Sequence, residues 1–167
     1  GAIVSIFGDY MAAYEGGAIA LPLPTKHLGA IVKVNGVAAP IYYSSPTQIN
    51  FQMPLEVQGS SGQVTVTVGN LTSASSAVSL AGSAPGIFTV DSSGKGQGVV
   101  TNAETDLFAA PAGSISGLTT RPIPKGAFAT IYASGLGAVT NPPASGTPAR
   151  GSPNLSTTVP PVTVSIG

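Results

Sequence analysis

Apolar and polar residues alternate with a period of two in short runs along this chain. Ala2-Ile3-Val4-Ser5-Ile6-Phe7 predicts a first strand, stopped at Gly8. Ala30-Ile31-Val32-Lys33-Val34 predicts a second, and Asn35-Gly36 after it is the two-residue hairpin turn whose members both tolerate positive φ. Val37 to Tyr43 reads as the returning partner, with Pro40 marking an edge position or a bulge because proline cannot donate to a ladder. Gln48-Ile49-Asn50-Phe51-Gln52-Met53 turns Ile49, Phe51 and Met53 toward a core, and Gln63-Val64-Thr65-Val66-Thr67-Val68 alternates as strictly. Ala77-Val78-Ser79-Leu80 completes about six or seven strands in roughly 80 residues, the spacing of an immunoglobulin-like sandwich.

Past Pro85-Gly86 the pattern thins. Ile87-Phe88-Thr89-Val90 and Gly98-Val99-Val100-Thr101 flank Asp91-Ser92-Ser93-Gly94 as a hairpin, and residues 109–124 carry little periodicity. The chain then repeats itself. Gly126-Ala127-Phe128-Ala129-Thr130-Ile131-Tyr132 matches the pattern of Gly1-Ala2-Ile3-Val4-Ser5-Ile6-Phe7 at an offset of 125, and Val164-Ser165-Ile166-Gly167 matches Val32-Lys33-Val34-Asn35 at an offset of 132. An insertion around Pro142 to Pro153 reconciles the offsets. The second copy therefore reaches only the counterpart of Asn35. Half a sandwich exposes an apolar face and open strand edges, so the expectation is that the natural chain continues or that strands arrive from another copy. The expected organisation is a first immunoglobulin-like sandwich at residues 1–83, a connecting hairpin and loop region at 84–125 contributing to a second domain, and the start of that domain at 126–167.

Composition supports the all-β reading: 22 Gly and 15 Pro leave little room for helices. Charge narrows the function. Only 7% of residues are charged, six basic against six acidic, whereas a nucleic-acid surface needs clustered Lys and Arg. Such a surface gives weak colloidal repulsion and suits packing against copies of itself. No run of about 18 apolar residues offers a membrane span, and the lack of Cys removes disulfides and thiolate metal sites.

Ile3-Val4-Ser5-Ile6-Phe7-Gly8, Val34-Asn35-Gly36-Val37-Ala38-Ala39-Pro40, Ser45-Pro46-Thr47-Gln48-Ile49-Asn50-Phe51-Gln52-Met53-Pro54, Ala84-Pro85-Gly86-Ile87-Phe88 and Ile131-Tyr132-Ala133-Ser134-Gly135-Leu136-Gly137 together closely resemble a repeat family of acidobacterial, Solibacter-type secreted proteins that has no assigned biochemical role. Its repeat is similar to the IPT/TIG type of immunoglobulin-like domain. The resemblance implies tandem IPT/TIG-like β-sandwiches, an extracellular or cell-surface location, and no catalytic residues. It departs in one respect: the second repeat of the family usually continues past the position of Gly167.

Candidate chemistry is sparse. His27 stands in a loop beside Lys26 without a Ser, Cys or Asp partner in view, and is expected on the surface. Gly113-Ser114-Ile115-Ser116-Gly117 has Ile where a nucleophile elbow needs Ser. Gly94-Lys95-Gly96-Gln97-Gly98 precedes a strand and lacks phosphate-loop spacing, so a hairpin turn is expected. Asn102, Glu104 and Asp106 alternate as at the start of a calcium loop, but Leu107 replaces the needed Gly, leaving a polar turn. Asp9, Glu15, Glu56 and Asp91 are scattered, which argues against paired acid–base work. Tyr42 and Tyr43 point to opposite faces of one strand, and no Trp is present for a sugar platform. Asn70-Leu71-Thr72 and Asn154-Leu155-Ser156 match the glycosylation pattern by chance. The expectation is a non-enzymatic extracellular structural protein without cofactor, metal or nucleic-acid partner, assembling as a homo-oligomer or filament through strand pairing. The alternative is a module of a larger secreted protein that binds carbohydrate or another surface polymer.

Overall fold

The structure is a computed structural model in which residues 1–165 are described. Its described residues form strands and turns and contain no helix. The chain divides into two compact units. One comprises Gly1–Ala84 with the chain from Gly135 onward, and the other is Pro85–Ser134. The stretch 126–167, expected to open a second domain, is thus shared between them.

The first unit is a two-sheet sandwich. One sheet holds β1 (Ile3–Phe7), β6 (Gln48–Gln52), β5 (Ile41–Ser44) and β2 (Gly16–Gly17) in that spatial order. The other holds β4 (Val37–Ala38), β3 (Ala30–Val34), β7 (Ser61–Val68) and β8 (Leu71–Thr72), with β9 (Ser76–Ser79) also paired to β7. All pairings are antiparallel. The Asn35-Gly36 turn takes φ of 50° and 81°, as its residue pair predicts. Asn35 also accepts from Gln63 N through Oδ1 at 2.8 Å, which ties the turn to β7.

Alternation fills the core as expected. Val32 and Val34 from β3, Ile41 from β5, and Ile49 and Phe51 from β6 are fully buried. Met53 packs against this cluster from a half-buried position. One strand differs from expectation. Val37 to Tyr43 is not a single partner strand: β4 pairs with β3, while β5 crosses to the other sheet and pairs with β6. Pro40 sits at the crossing, fully buried. Its missing N–H ends one ladder, and Ile41 N begins anew by donating to Pro24 O at 2.8 Å. The bulge announced by the proline falls at Tyr42, where the β5–β6 register slips.

The second unit contains four short strands: β10 (Gly86–Ile87), β11 (Val100–Asn102), β12 (Ala129–Ile131) and β13 (Ala133–Ser134). They form two separate antiparallel ribbons, β10 with β13 and β11 with β12. The expected hairpin around residues 91–94 is present, closed by Val90 N to Gln97 O and Val99 N to Phe88 O. Among described residues, only Thr101, Ala110 and Thr120 are buried here.

The chain from Gly135 onward fastens to the first unit through a small clasp. Ser145 Oγ accepts from Leu55 N at 2.9 Å and donates to Glu56 at 2.7 Å. Gly146 N donates to Gln52 Oε1 at 2.6 Å, and Gly146 O accepts from Leu23 N at 2.8 Å. Gly146 has φ of 81°, and a Cβ there would meet Leu23 O and Pro40 Cβ, each at 3.1 Å. Only glycine fits without strain. Of the strand expected at Val164–Gly167, Val164 and Ser165 belong to no strand, and Ile166 and Gly167 lie outside the described residues.

Candidate functional site

A concavity in the first unit follows from its sheet order. β1 ends one sheet, β8 and β9 lie at the facing border of the other, and between them the sandwich gapes. The opening is a cleft of about 740 Å³. Val4, Ile6 and Met11 line one wall, Val66, Leu71 and Val78 the other, and Phe51 and Met53 are among its lining residues. Among its described lining residues only Asp9 is charged. An apolar cleft of this size at the end of a sheet is suited to taking up an extended apolar segment.

The ladder of β1 determines what its outer edge offers. Met53 N donates to Ala2 O at 2.8 Å and Gly8 N to Thr47 O at 3.1 Å. In an antiparallel pair, residues facing one neighbour alternate. Val4 and Ile6 share the parity of Ala2 and Gly8 and therefore bond toward β6. Ser5 and Phe7 turn their N–H and C=O groups away from it. The Phe7 side chain is 74% exposed on the same border.

The residues singled out for chemistry are not brought together. His27, expected on the surface, is half-buried instead: its Nδ1 lies 3.1 Å from the buried Ser44 Oγ, and its backbone exchanges both hydrogen bonds with Ala30. That arrangement closes the bend into β3. The Gly94–Gly98 region is a loop closed on its own side chains. Ser93 N and Oγ bond Asp91 Oδ1 at 3.0 and 2.8 Å, and Gly94 N bonds Thr89 Oγ1 at 2.9 Å. These N–H groups are occupied and cannot cradle a phosphate. The bonds from Ser93, backbone first and then hydroxyl, hold the Asp91 carboxyl below its ordinary pKa.

Asn102 accepts from Glu104 N and Thr105 N at 2.8 and 3.2 Å, the polar turn expected in place of a calcium loop. Among the described residues no three of His, Cys, Asp and Glu gather as a metal site. Gly113 and Gly117 take positive φ in successive turns, without a serine between them at an elbow. Glu56 is spent on the clasp, where the Ser145 hydroxyl lowers its pKa. Tyr42 occupies the bulge and is partly exposed while Tyr43 is half-buried, so the two make no flat platform.

Sequence reasoning placed the open face in the second repeat and missed the cleft in the first.

Residues 1–81 match the family model of the IPT/TIG domain, an immunoglobulin-like module. The match coincides with the sandwich that carries the cleft. No curated protein and no solved structure matches the chain.

Proposed function

We propose that this chain is a non-enzymatic structural module of an extracellular or cell-surface protein, and that it joins further repeats of its own kind by β-strand complementation into a filament. One observation carries the reading: both units leave apolar surface uncovered. In the first, β1 borders an open apolar cleft. In the second, two ribbons of at most three residues per strand leave Ile87, Phe88, Phe128 and Tyr132 exposed. Isolated two-stranded ribbons are marginal in water, and open edges invite pairing. The IPT/TIG match supports the assignment, because that module occurs in extracellular and surface proteins and is typically non-catalytic. The resemblance to acidobacterial secreted repeats points to the same location.

In this reading residues 84–125 and 126–167 open a second immunoglobulin-like domain that another chain completes. Head-to-tail completion is heterologous and does not close on itself, so it propagates as an open fibre. The low charge lets neighbours approach. Light scattering and electron microscopy across a concentration series test it. Growing particles that resolve into fibres are expected, and a monomer at every concentration sinks the proposal.

A further inference from the structure

We infer that the outer edge of β9 is an interface for a second copy of this chain, joined by antiparallel pairing of β9 with β9 about a two-fold axis at Val78. The contact is separate from the head-to-tail completion proposed above, and neither requires the other.

The ladder determines which backbone groups of β9 are already bonded. β9 pairs with β7 in the register Ser61↔Ser79, Gly62↔Val78, Gln63↔Ala77 and Val64↔Ser76. Just past it, Leu80 N donates to Ser60 O at 2.9 Å. In an antiparallel pair, residues of one parity bond toward the same neighbour. Ser76 and Val78 share the parity of Leu80 and bond toward β7. Ala77 and Ser79 turn their N–H and C=O groups the other way. Among the described residues, β7 is the only strand paired with β9, and no hydrogen bond reaches the outward groups of Ala77 and Ser79. Both residues are exposed.

The sequence leaves this edge unguarded. Proteins commonly protect a bare edge with Lys, Pro or a bulge. No Asp, Glu, Lys, Arg or Pro occurs from residue 57 to residue 84, and β9 meets β7 in unbroken register. A second copy of the edge therefore meets no like charge and no missing donor.

Register identifies the occupant as a copy. A two-fold axis at Val78 sets Ala77 opposite Ser79 of the partner subunit, and Ser79 opposite Ala77 of the partner subunit. Every outward N–H and C=O then faces its complement, and each such pair exchanges both bonds. An axis between Ala77 and Val78 instead sets outward groups against residues bonded to β7, and makes no ladder. With the axis at Val78, the two Val78 residues form a non-hydrogen-bonded pair, with Cα atoms about 4.5 Å apart. The Val78 side chain lines the cleft and is half-buried against the core. Directly opposed residues point to the same face, so Val78 of the partner subunit covers it from the side away from β7. The contact is isologous and closes at two copies.

The test follows the full chain across a concentration series by sedimentation equilibrium and backbone amide exchange. A dimer is expected, with exchange at Ala77 and Ser79 slowing as it forms. Ser79→Pro removes an outward N–H from each copy while sparing the bonds to β7, and weakens the dimer by about tenfold or more. A charge-paired set carries the test should Ser79→Pro fail to fold. Ala77→Lys with Ser79→Lys in one chain, and Ala77→Glu with Ser79→Glu in another, put like charges across the axis in each homodimer and opposite charges in the mixture. Each variant alone is expected to stay monomeric and the mixture to dimerise. A monomer at every concentration overturns the inference, as does a dimer with unchanged exchange at Ala77 and Ser79. Equally tight association of folded Ser79→Pro, or of the Lys and Glu variants each alone, overturns it as well. Electron microscopy of the same samples separates this contact from the filament. Dimers that never lengthen keep the β9 contact and lose the filament. Fibres without slowed exchange at Ala77 and Ser79 lose the β9 contact and keep the filament.

Discussion

Two stretches of one repeating sequence reach different degrees of closure here. The unit built on Gly1–Ala84 sets one sheet against another, and its longest strand, β7, has eight residues. Pro85–Ser134 has two ribbons, and β11 and β12, its longest strands, have three residues each. Burial follows that difference rather than residue type. Phe51 of β6 is fully buried, while Phe128, just before β12, is 75% exposed. Period-two alternation states which face of a strand is apolar. A second sheet is needed before that face leaves water.

The largest expected effect breaks this comparison most directly. Phe51→Ala removes a ring from a packed interior and is expected to cost about 3–5 kcal/mol. Phe128→Ala removes a ring that is mostly in water and is expected to stay within about 0.5 kcal/mol. Urea unfolding of both variants measures the pair. Equal losses contradict the contrast, because Phe128 is then covered in solution as thoroughly as Phe51.

The clasp sharpens the comparison from the side of the first unit. Gly146 lies far along the chain yet belongs to that unit, held by Gln52 and Leu23. Gly146→Ala forces a side chain into positive φ and against Leu23 O and Pro40. The expected loss is about 1–3 kcal/mol. Faster amide exchange at Leu23 and Leu55 is the accompanying signature. An unchanged melting temperature with unchanged exchange shows that the segment is not docked.

Local signals made much of the first unit legible. Asn35-Gly36 named its own turn, and the alternation in Gln48–Met53 and Gln63–Val68 named its own inward faces, because both depend on residues adjacent in sequence. The crossing at Pro40 was half legible. A proline announces a broken ladder but does not say that the next strand joins the opposite sheet. The clasp was not legible: Ser145 and Leu55 are 90 residues apart, and nothing near either one announces the other. The cleft shares that cause. β1 reads as an ordinary amphipathic strand, and only its place at the end of a sheet, which non-local pairing decides, leaves Ser5 and Phe7 facing outward.

The smallest expected effect concerns the second unit, and its sign is opposite. Thr101 is buried in β11, pairs with Thr130 through the backbone, and bridges to Phe108. Its Oγ1 is buried with no hydrogen-bond partner. A hydroxyl held from water without a partner costs about 1–3 kcal/mol. Valine has nearly the same shape, favours strands, and carries no polar atom to satisfy. Thr101→Val is therefore expected to raise stability by about 1 kcal/mol, the low end of that range because so small a unit excludes water less completely. The first unit offers no equivalent gain among its buried Ser and Thr residues, since Ser44 and Ser45 both have partners. The measurement is the unfolding midpoint followed by amide exchange at Thr101 and Thr130, which isolates the second unit. A loss of stability in Thr101→Val means that the hydroxyl has a partner in solution, and that the pocket around β11 is wetter or more polar than its neighbours Phe108 and Ala110 imply.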